Sequence, residues 1–416
     1  MKNTAGRRGI GLAAAGALVA SGGLTVGTAS AATTIAAPTV NSAFAWYTNT
    51  AYAFTFTEGV GATASEFEYS INGGSLRTVP AVNNSATVNL EFTGSYDTLD
   101  VYAVAADGTV SPATTVTEEL DDNVWAADDD LNGDGLPDLL TAGGAGTGLP
   151  SGIWQALGTG GGHLSVPATD LVDAGTDAPP SYFDGDQLIM GHYGQNGFED
   201  IMAYSPATGY GLQFIGSGNG SALSNGAVAT VAPSNWFADP ITGDTPLQIT
   251  NGYDATGLGN QMDGFFSIVG DTTHGYAMDY DEADYLGFTP IQLSGQNTPD
   301  GTADWNDWRI AGASVQSGIA LYLWNPSTGA LYLWEGVKVT DNGNETGTMT
   351  YTQYEVSHRW NKGVSLPTLE AADFDGSVTP GLWAVGRNAV AKAYVVSDLS
   401  AEHTAKIKAV ASAKLS

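Results

Sequence analysis

The chain has 416 residues, 43% hydrophobic and 14% charged, which is enough apolar material for a sizeable core and too little charge for wholesale disorder. Its 13 basic and 44 acidic residues give a formal charge of −31, so nucleic acid and anionic membranes would repel its surface. With no cysteine, disulfides, thiol catalysis and zinc–thiolate sites are excluded.

The N-terminus reads as an export signal. Lys2, Arg7 and Arg8 precede an uncharged stretch from Gly9 to Val26, and Ala29-Ser30-Ala31 has the small-x-small cleavage pattern. Cleavage after residue 31 predicts a secreted product, by the Sec or the twin-arginine route; a retained anchor is the weaker alternative, because Gly and Ala dilute the stretch. No later segment is long and apolar enough to span a membrane. Removing residues 1–31 leaves 10 basic against 44 acidic residues, a balance that suits solubility outside the cell and cation binding alike.

Fifty-five glycines, 10 tryptophans and 18 tyrosines predict an all-β protein of many short strands and tight turns. Over 36–120 the strand-like runs are AYAFTFTE from Ala51, SEFEYSI from Ser65, ATVNLEFT from Ala86 and TLDVYAVAA from Thr98. Phe54 and Phe56, then Phe67 and Tyr69, alternate with polar or small residues, the period of half-buried antiparallel strands. A small sandwich of about seven strands is expected. Its closing run, VYAVAADGTVSP, resembles the end of fibronectin type III and immunoglobulin-like modules.

An acidic joint, TEELDDN from Thr117, separates this unit from residues 121–416, where related segments recur at 130, 192, 254, 304 and 373, spaced 62, 62, 50 and 69 residues apart. In each, an Asp-, Asn- or Gly-rich turn leads into a strand, as expected of a repeat architecture. LYLWNPSTGALYLW, Leu321 to Trp334, reads as a hairpin around a six-residue turn, with leucines on one face and Tyr/Trp on the other. A sheet apolar on both faces needs neighbours on both sides, and radial packing of units of about 60 residues predicts a β-propeller of about five blades.

DLNGDGLPD, residues 130–138, places acceptors at positions 1, 3, 5 and 9 (Asp130, Asn132, Asp134, Asp138), a carbonyl at 7 (Leu136) and Gly135 at 6. Those offsets let one loop wrap Ca²⁺, which takes six to eight oxygens, with glycine at the sharp turn. Thr141 at position 12 and the strand that follows exclude an EF-hand. The segment resembles the calcium loops of the FG-GAP/VCBS repeat family, the integrin-α-type propeller, in a motif of the form D-x-[DN]-x-D-G-x-x-D before a hydrophobic strand. That resemblance implies Ca²⁺ held by Asp130, Asn132, Asp134, Asp138 and the Leu136 carbonyl. The other copies depart from it. The second has His192, Gly194, Asn196 and Asp200, the fourth is shortened after Asp304 and Asn306, and the fifth keeps Asp373 and Asp375 but has Ser377 and Gly381; these are expected to be structural turns.

No catalytic motif for a metalloprotease, a serine hydrolase or a P-loop enzyme is present, and the five histidines (163, 192, 274, 358, 403) read as surface or loop residues. Trp236, Trp305, Trp308 and Trp360 read first as packing between blades and second as platforms for sugars. The resulting expectation is a secreted, calcium-binding, non-catalytic binding or adhesion protein with an extracellular protein or glycan ligand. The alternatives are a carbohydrate-active enzyme using carboxylates on the propeller face and a structural envelope component. The segment from Asp271 to Asp304, with Tyr276, Tyr280 and Tyr285, is the expected ligand patch.

Overall fold

Alternation of apolar and polar residues turns most of the chain into short antiparallel strands. The structure, a computed structural model, describes residues 35–42, 50–61, 63–92, 96–119, 126–172, 178–194, 197–216, 218, 229–258, 262–271, 275–284, 287–293 and 295–416. The export segment, residues 120–123 of the joint, Asn196, His274 and Tyr285 lie outside the described residues. Among the described residues no helix is long and apolar enough to cross a membrane.

The first seven strands are β1 (Thr39–Ser42), β2 (Ala51–Thr57), β3 (Ala64–Ile71), β4 (Arg77–Pro80), β5 (Ser85–Glu91), β6 (Tyr96–Ala105) and β7 (Thr114–Glu119). They make two sheets, β1-β2-β5 and β4-β3-β6-β7. Both contribute to one core: Phe54 and Phe56 from β2, Ala86 and Leu90 from β5, Ala64 and Phe67 from β3, and Leu99, Val101 and Ala103 from β6. In β3, Ala64 and Phe67 both point inward although three residues apart, because the pairing with β6 shifts register between Ala64 and Glu66. Such a bulge absorbs the odd residue and restores the alternation.

From residue 126 the strands form five further sheets of three or four strands and one two-stranded hairpin. The first is β12-β9-β8, from β8 (Leu139–Ala142), β9 (Ile153–Ala156) and β12 (Thr169–Asp170), with a small hairpin of β10 (Gly158–Gly160) and β11 (His163–Leu164). The second is β13 (Gln187–Gly191), β14 (Asp200–Ser205), β15 (Tyr210–Phe214) and β16 (Ala229–Ala232). The third is β17 (Gln248–Tyr253), β18 (Gly264–Asp271), β19 (Gly275–Asp284) and β20 (Gly287–Gln292). The fourth is β21 (Arg309–Val315), β22 (Gly318–Trp324), β23 (Leu331–Asp341) and β24 (Gly347–Ser357). The fifth is β25 (Thr368–Ala372), β26 (Gly381–Val385), β27 (Val390–Ser397) and β28 (Lys406–Lys414), and the last four sheets pair consecutive strands.

Each of these sheets shares a core with the next. Leu140 and Ile153 meet Ile201 and Phe214; Met202 and Tyr204 meet Ile249 and Phe265; Phe266 and Met278 meet Leu321 and Trp334; Tyr322 and Leu333 meet Leu382 and Val396. Trp383 and Ala391 of the fifth sheet pack in turn with Leu139 and Ala156 of the first. Strands β13, β17, β21, β25 and β8 lie side by side in that cyclic order and line a cavity of about 140 Å³.

An inner edge strand exposes backbone N–H groups that need partners. Side chains of the preceding strand supply them. Gln187 accepts from Ile249 N at 2.7 Å and donates to the Leu247 carbonyl at 3.3 Å, and Gln248 accepts from Ile310 N at 3.3 Å and donates to the Trp308 carbonyl at 2.6 Å. Thr250 Oγ1 accepts from Gly312 N at 2.8 Å, and Glu370 from Leu140 N at 3.3 Å. This clasp joins β13 to β17, β17 to β21 and β25 to β8, so these neighbouring sheets are held by directional bonds as well as by apolar contact.

The hairpin of β22 and β23 turns through residues 325–330, as the sequence predicts, and both its faces are buried. The composition of its faces differs from the expectation. Leu321 pairs with Trp334 and Tyr322 with Leu333, so each face sets leucine of one strand against an aromatic of the other. Directly opposed residues of an antiparallel pair share a face, and the six-residue turn brings unlike residues opposite. Trp305 and Trp308 are buried between the third and fourth sheets and Trp360 between the fourth and fifth, which leaves none of the three open to a sugar; Trp236 is half-buried against Phe288. Tyr280, expected on a ligand patch, is 1% exposed; its hydroxyl donates to the Tyr253 carbonyl at 2.7 Å and accepts from Ala255 N at 3.1 Å.

Candidate functional site

The loop 130–138 leads directly into β8. Asp130 Oδ1 accepts from Asn132 N (3.2 Å), Gly133 N (2.8 Å) and Asp134 N (3.3 Å), and Oδ2 from Gly135 N (2.6 Å). Gly133 and Gly135 take φ of 74° and 81°, the left-handed region where a side chain would be strained. Asn132 Oδ1 accepts from Asp134 N at 3.1 Å, Asp134 Oδ1 from Leu136 N at 3.0 Å, and the Asn132 amide donates to Asp134 Oδ2 at 3.2 Å. Thus Asp130, Asn132 and Asp134 meet in one loop, with the latter two toward solvent.

Asp138 sits at the buried root of the loop. Its Oδ1 accepts from Gly158 N at 2.8 Å and its Oδ2 from the Gln155 amide at 3.2 Å. Burial pushes its carboxyl up to about 7; the Gly158 bond opposes this, and Asp130 and Asp134 add repulsion. Leu136 is half-buried beside Gly158, where an added Cβ would stand 2.2 Å from the Pro137 carbonyl oxygen. The side-chain oxygens are hard donors of the kind Ca²⁺ takes, and among the described residues their hydrogen-bond donors are amides, with no ammonium or guanidinium. The residues present fit Ca²⁺ in donor type and loop shape, with Asp138 already committed to two amides.

The counterparts of this loop follow the first strand of each sheet. They begin at 192, 254, 316 and 373, so the spacings from 130 are 62, 62, 62 and 57. The segment at 304, read from sequence as the fourth copy, precedes β21 instead and forms a 3-10 turn, Trp305–Asp307. The true fourth connection is the two-residue turn Gln316-Ser317, which carries no acid. In the second copy Asp200 repeats Asp138, accepting from Gly216 N at 2.6 Å and the Gln213 amide at 3.3 Å. In the fifth, Asp373 Oδ1 accepts from Asp375 N at 3.3 Å and Gly376 N at 2.7 Å, the turn that Asp130 makes.

Beside the first loop the structure assembles a group that sequence reasoning missed. Asp128 precedes the loop, His192 follows β13, Glu199 precedes β14 and Asp263 precedes β18. One ligand atom from each lies within 4.8 Å of the others. His192 Nδ1 is 3.2 Å from Glu199 Oε1, 3.7 Å from Asp263 Oδ2 and 3.8 Å from Asp128 Oδ1. His192, expected near the surface, is 4% exposed and Glu199 1%.

Burial, and then the charges of Asp129 and Asp263, push the Glu199 carboxyl well up; burial and Asp263 raise Asp128, and burial and Asp128 raise Asp129 strongly. For His192 burial works downward, but the hydrogen bond to Asp263 and the charges of Asp263, Asp128 and Asp200 outweigh it and hold the imidazole above its ordinary range. Asp129 accepts from the Tyr253 hydroxyl at 3.3 and 3.2 Å. A sequence signal existed: an acid stands just before β8, β14 and β18, at 138, 199 and 263.

A cleft opens next to this group, lined by Asp128, Leu136 and Pro137 on one side and by Ser314, Asp373 and Asp375 on the other. Asp128, with its side chain 36% exposed, joins the buried group to the cleft.

No family model and no curated protein matches the chain. Among solved structures it is similar to Hsv2 from Kluyveromyces lactis, at 11% identity over 92% of this chain and 100% of that one, with a TM-score of 0.26. A form of that protein with loop 6CD complete gives 10% identity over 88% and 96% of the two chains, also at a TM-score of 0.26.

Proposed function

We propose that the chain is a secreted, calcium-binding, non-catalytic binding or adhesion protein: an Ig-like or fibronectin type III-like module at 36–120 followed by a five-bladed propeller of FG-GAP/VCBS type. A three-stranded sheet on a four-stranded one supports the module. Five sheets that share cores in cyclic order around a cavity lined by their first strands support the propeller. The observation that carries the functional reading is the 130–138 loop, a nine-residue segment that holds three carboxylates with only amide donors to offset them. Ca²⁺ locks that loop, and the rigid ring presents its connecting loops to an extracellular protein or glycan. Isothermal titration of chelator-treated protein with Ca²⁺ tests the reading: one site, lost in Asp134→Ala, is expected.

A second reading, a carbohydrate-active enzyme, draws on Asp128, whose raised carboxyl faces the cleft. Glycoside hydrolysis needs two carboxyl groups at the scissile bond; Glu199 is too buried to meet a sugar, and Asp373 and Asp375, which line the same cleft, are the acids that would partner Asp128. The non-catalytic reading is preferred on the strength of the 130–138 loop, and reducing-sugar release from polysaccharides by the purified chain would overturn it.

A further inference from the structure

We propose that Asp128, His192, Glu199 and Asp263 form a second metal site, distinct from the 130–138 loop, that takes a divalent first-row transition ion of the Zn²⁺ class. The inference is independent of calcium in the loop.

Three carboxylates and one imidazole converge from three separate connections, and their ligand atoms lie within 4.8 Å of one another. The distances from His192 Nδ1 to the three carboxylate oxygens, 3.2, 3.7 and 3.8 Å, approach the edges of a tetrahedron around an ion with bonds of 2.0–2.2 Å, roughly 3.3–3.6 Å. Glu199 supplies an independent observation. Both its carboxylate oxygens are buried without a hydrogen bond of normal geometry, and Oε1 is turned toward His192 at 3.2 Å. A buried carboxylate in that condition is costly unless a cation meets it.

The surroundings hold the ligands in place. Asp263 Oδ2 accepts from His192 N at 2.9 Å and from the Asn251 amide at 3.2 Å, and Asn251 is fixed by the Met190 carbonyl at 2.7 Å and by Tyr253 N at 2.8 Å. Outer contacts of this kind orient a metal ligand before the ion arrives. Asp128 reaches the cleft and gives an entry path. The donor set argues the ion class: one imidazole nitrogen among four ligands suits Zn²⁺, Co²⁺ or Mn²⁺, whereas Ca²⁺ prefers six to eight oxygens.

The test uses the full chain, stripped with chelator and held in saturating Ca²⁺, then dialysed against Zn²⁺. One equivalent of bound Zn²⁺ that Ca²⁺ does not displace is expected, with Co²⁺ in its place giving the visible absorption of a four- or five-coordinate ion. Glu199→Gln and His192→Gln should each weaken Zn²⁺ binding roughly 100-fold or more, while Asp134→Ala, which removes the calcium loop, leaves it unchanged. No binding by the wild type, displacement by Ca²⁺, or binding that survives both cluster substitutions overturns the proposal. If either variant fails to fold, the wild-type Co²⁺ spectrum decides: an octahedral, water-like spectrum counts against the site.

Discussion

The loop 130–138 and the group around His192 are neighbours, and burial raises the carboxyls of both, but their negative charge is offset in different ways. In the loop, four backbone amides converge on Asp130, so negative charge is met by dipoles within one continuous segment. Around His192, acids from separate connections face one another, and burial and mutual repulsion raise Glu199 and Asp129 strongly. A contiguous loop can prepare its own charge for a cation; a cluster assembled through space depends on the ring that holds it.

The comparison breaks most severely at the loop's root. Asp138→Ala leaves the Gly158 amide and the Gln155 side chain without their buried acceptor, which should cost about 3–5 kcal/mol in urea unfolding without Ca²⁺. Asp200→Ala should cost a similar amount, since it removes the same bonds one repeat later. Asp134→Ala, on the exposed rim, should cost less than about 1 kcal/mol without Ca²⁺.

A buried acid that belongs to neither region sharpens the contrast. Burial, offset in part by Ser267 and reinforced by Asp239, holds the Asp281 carboxyl well above its ordinary value of 3.8. The folded chain therefore keeps a proton at Asp281 that the unfolded chain releases near 3.8, so this group costs no stability below that pH and an increasing amount as pH rises toward the folded value. Asp281→Asn mimics the neutral acid. It should match the wild type at acid pH and exceed it by about 1–3 kcal/mol at pH 8, measured by urea denaturation across pH. Equal pH slopes in the two proteins would count against a buried neutral Asp281. The smallest effect is expected at the fifth copy: Asp375→Ala lies on an exposed turn and should leave Ca²⁺ affinity within a factor of two and stability within about 0.5 kcal/mol.

The sequence makes plain what is local. Period-two runs mark the strands from Phe54 to Tyr69, and the Leu321–Trp334 hairpin announces both of its strands and its turn. Phase is harder to read. Asp304 and Asn306 have the composition of a calcium loop but stand before a first strand, whereas the real fourth connection, Gln316-Ser317, is too short to leave a signature. The His192 group was hidden for a different reason. Its members are 64, 7 and 64 residues apart along the chain, and only the side-by-side placement of β13 and β17 brings them together. Tyr280 shows the complementary limit, since an aromatic in acidic, Gly-rich surroundings read as a ligand contact and proved to be core, whereas Trp305 is packed as first read.

The central claim, that Ca²⁺ binds the first loop and stabilises the ring, is tested most directly by thermal melting of the full chain in chelator and in Ca²⁺ at about 100 times Kd. Preferential binding to the folded loop adds about 2.7 kcal/mol at that concentration. The account predicts a rise of several degrees in the wild type and none in Asp134→Ala; melting that is unchanged by Ca²⁺ in the wild type, or raised equally in both proteins, would contradict it.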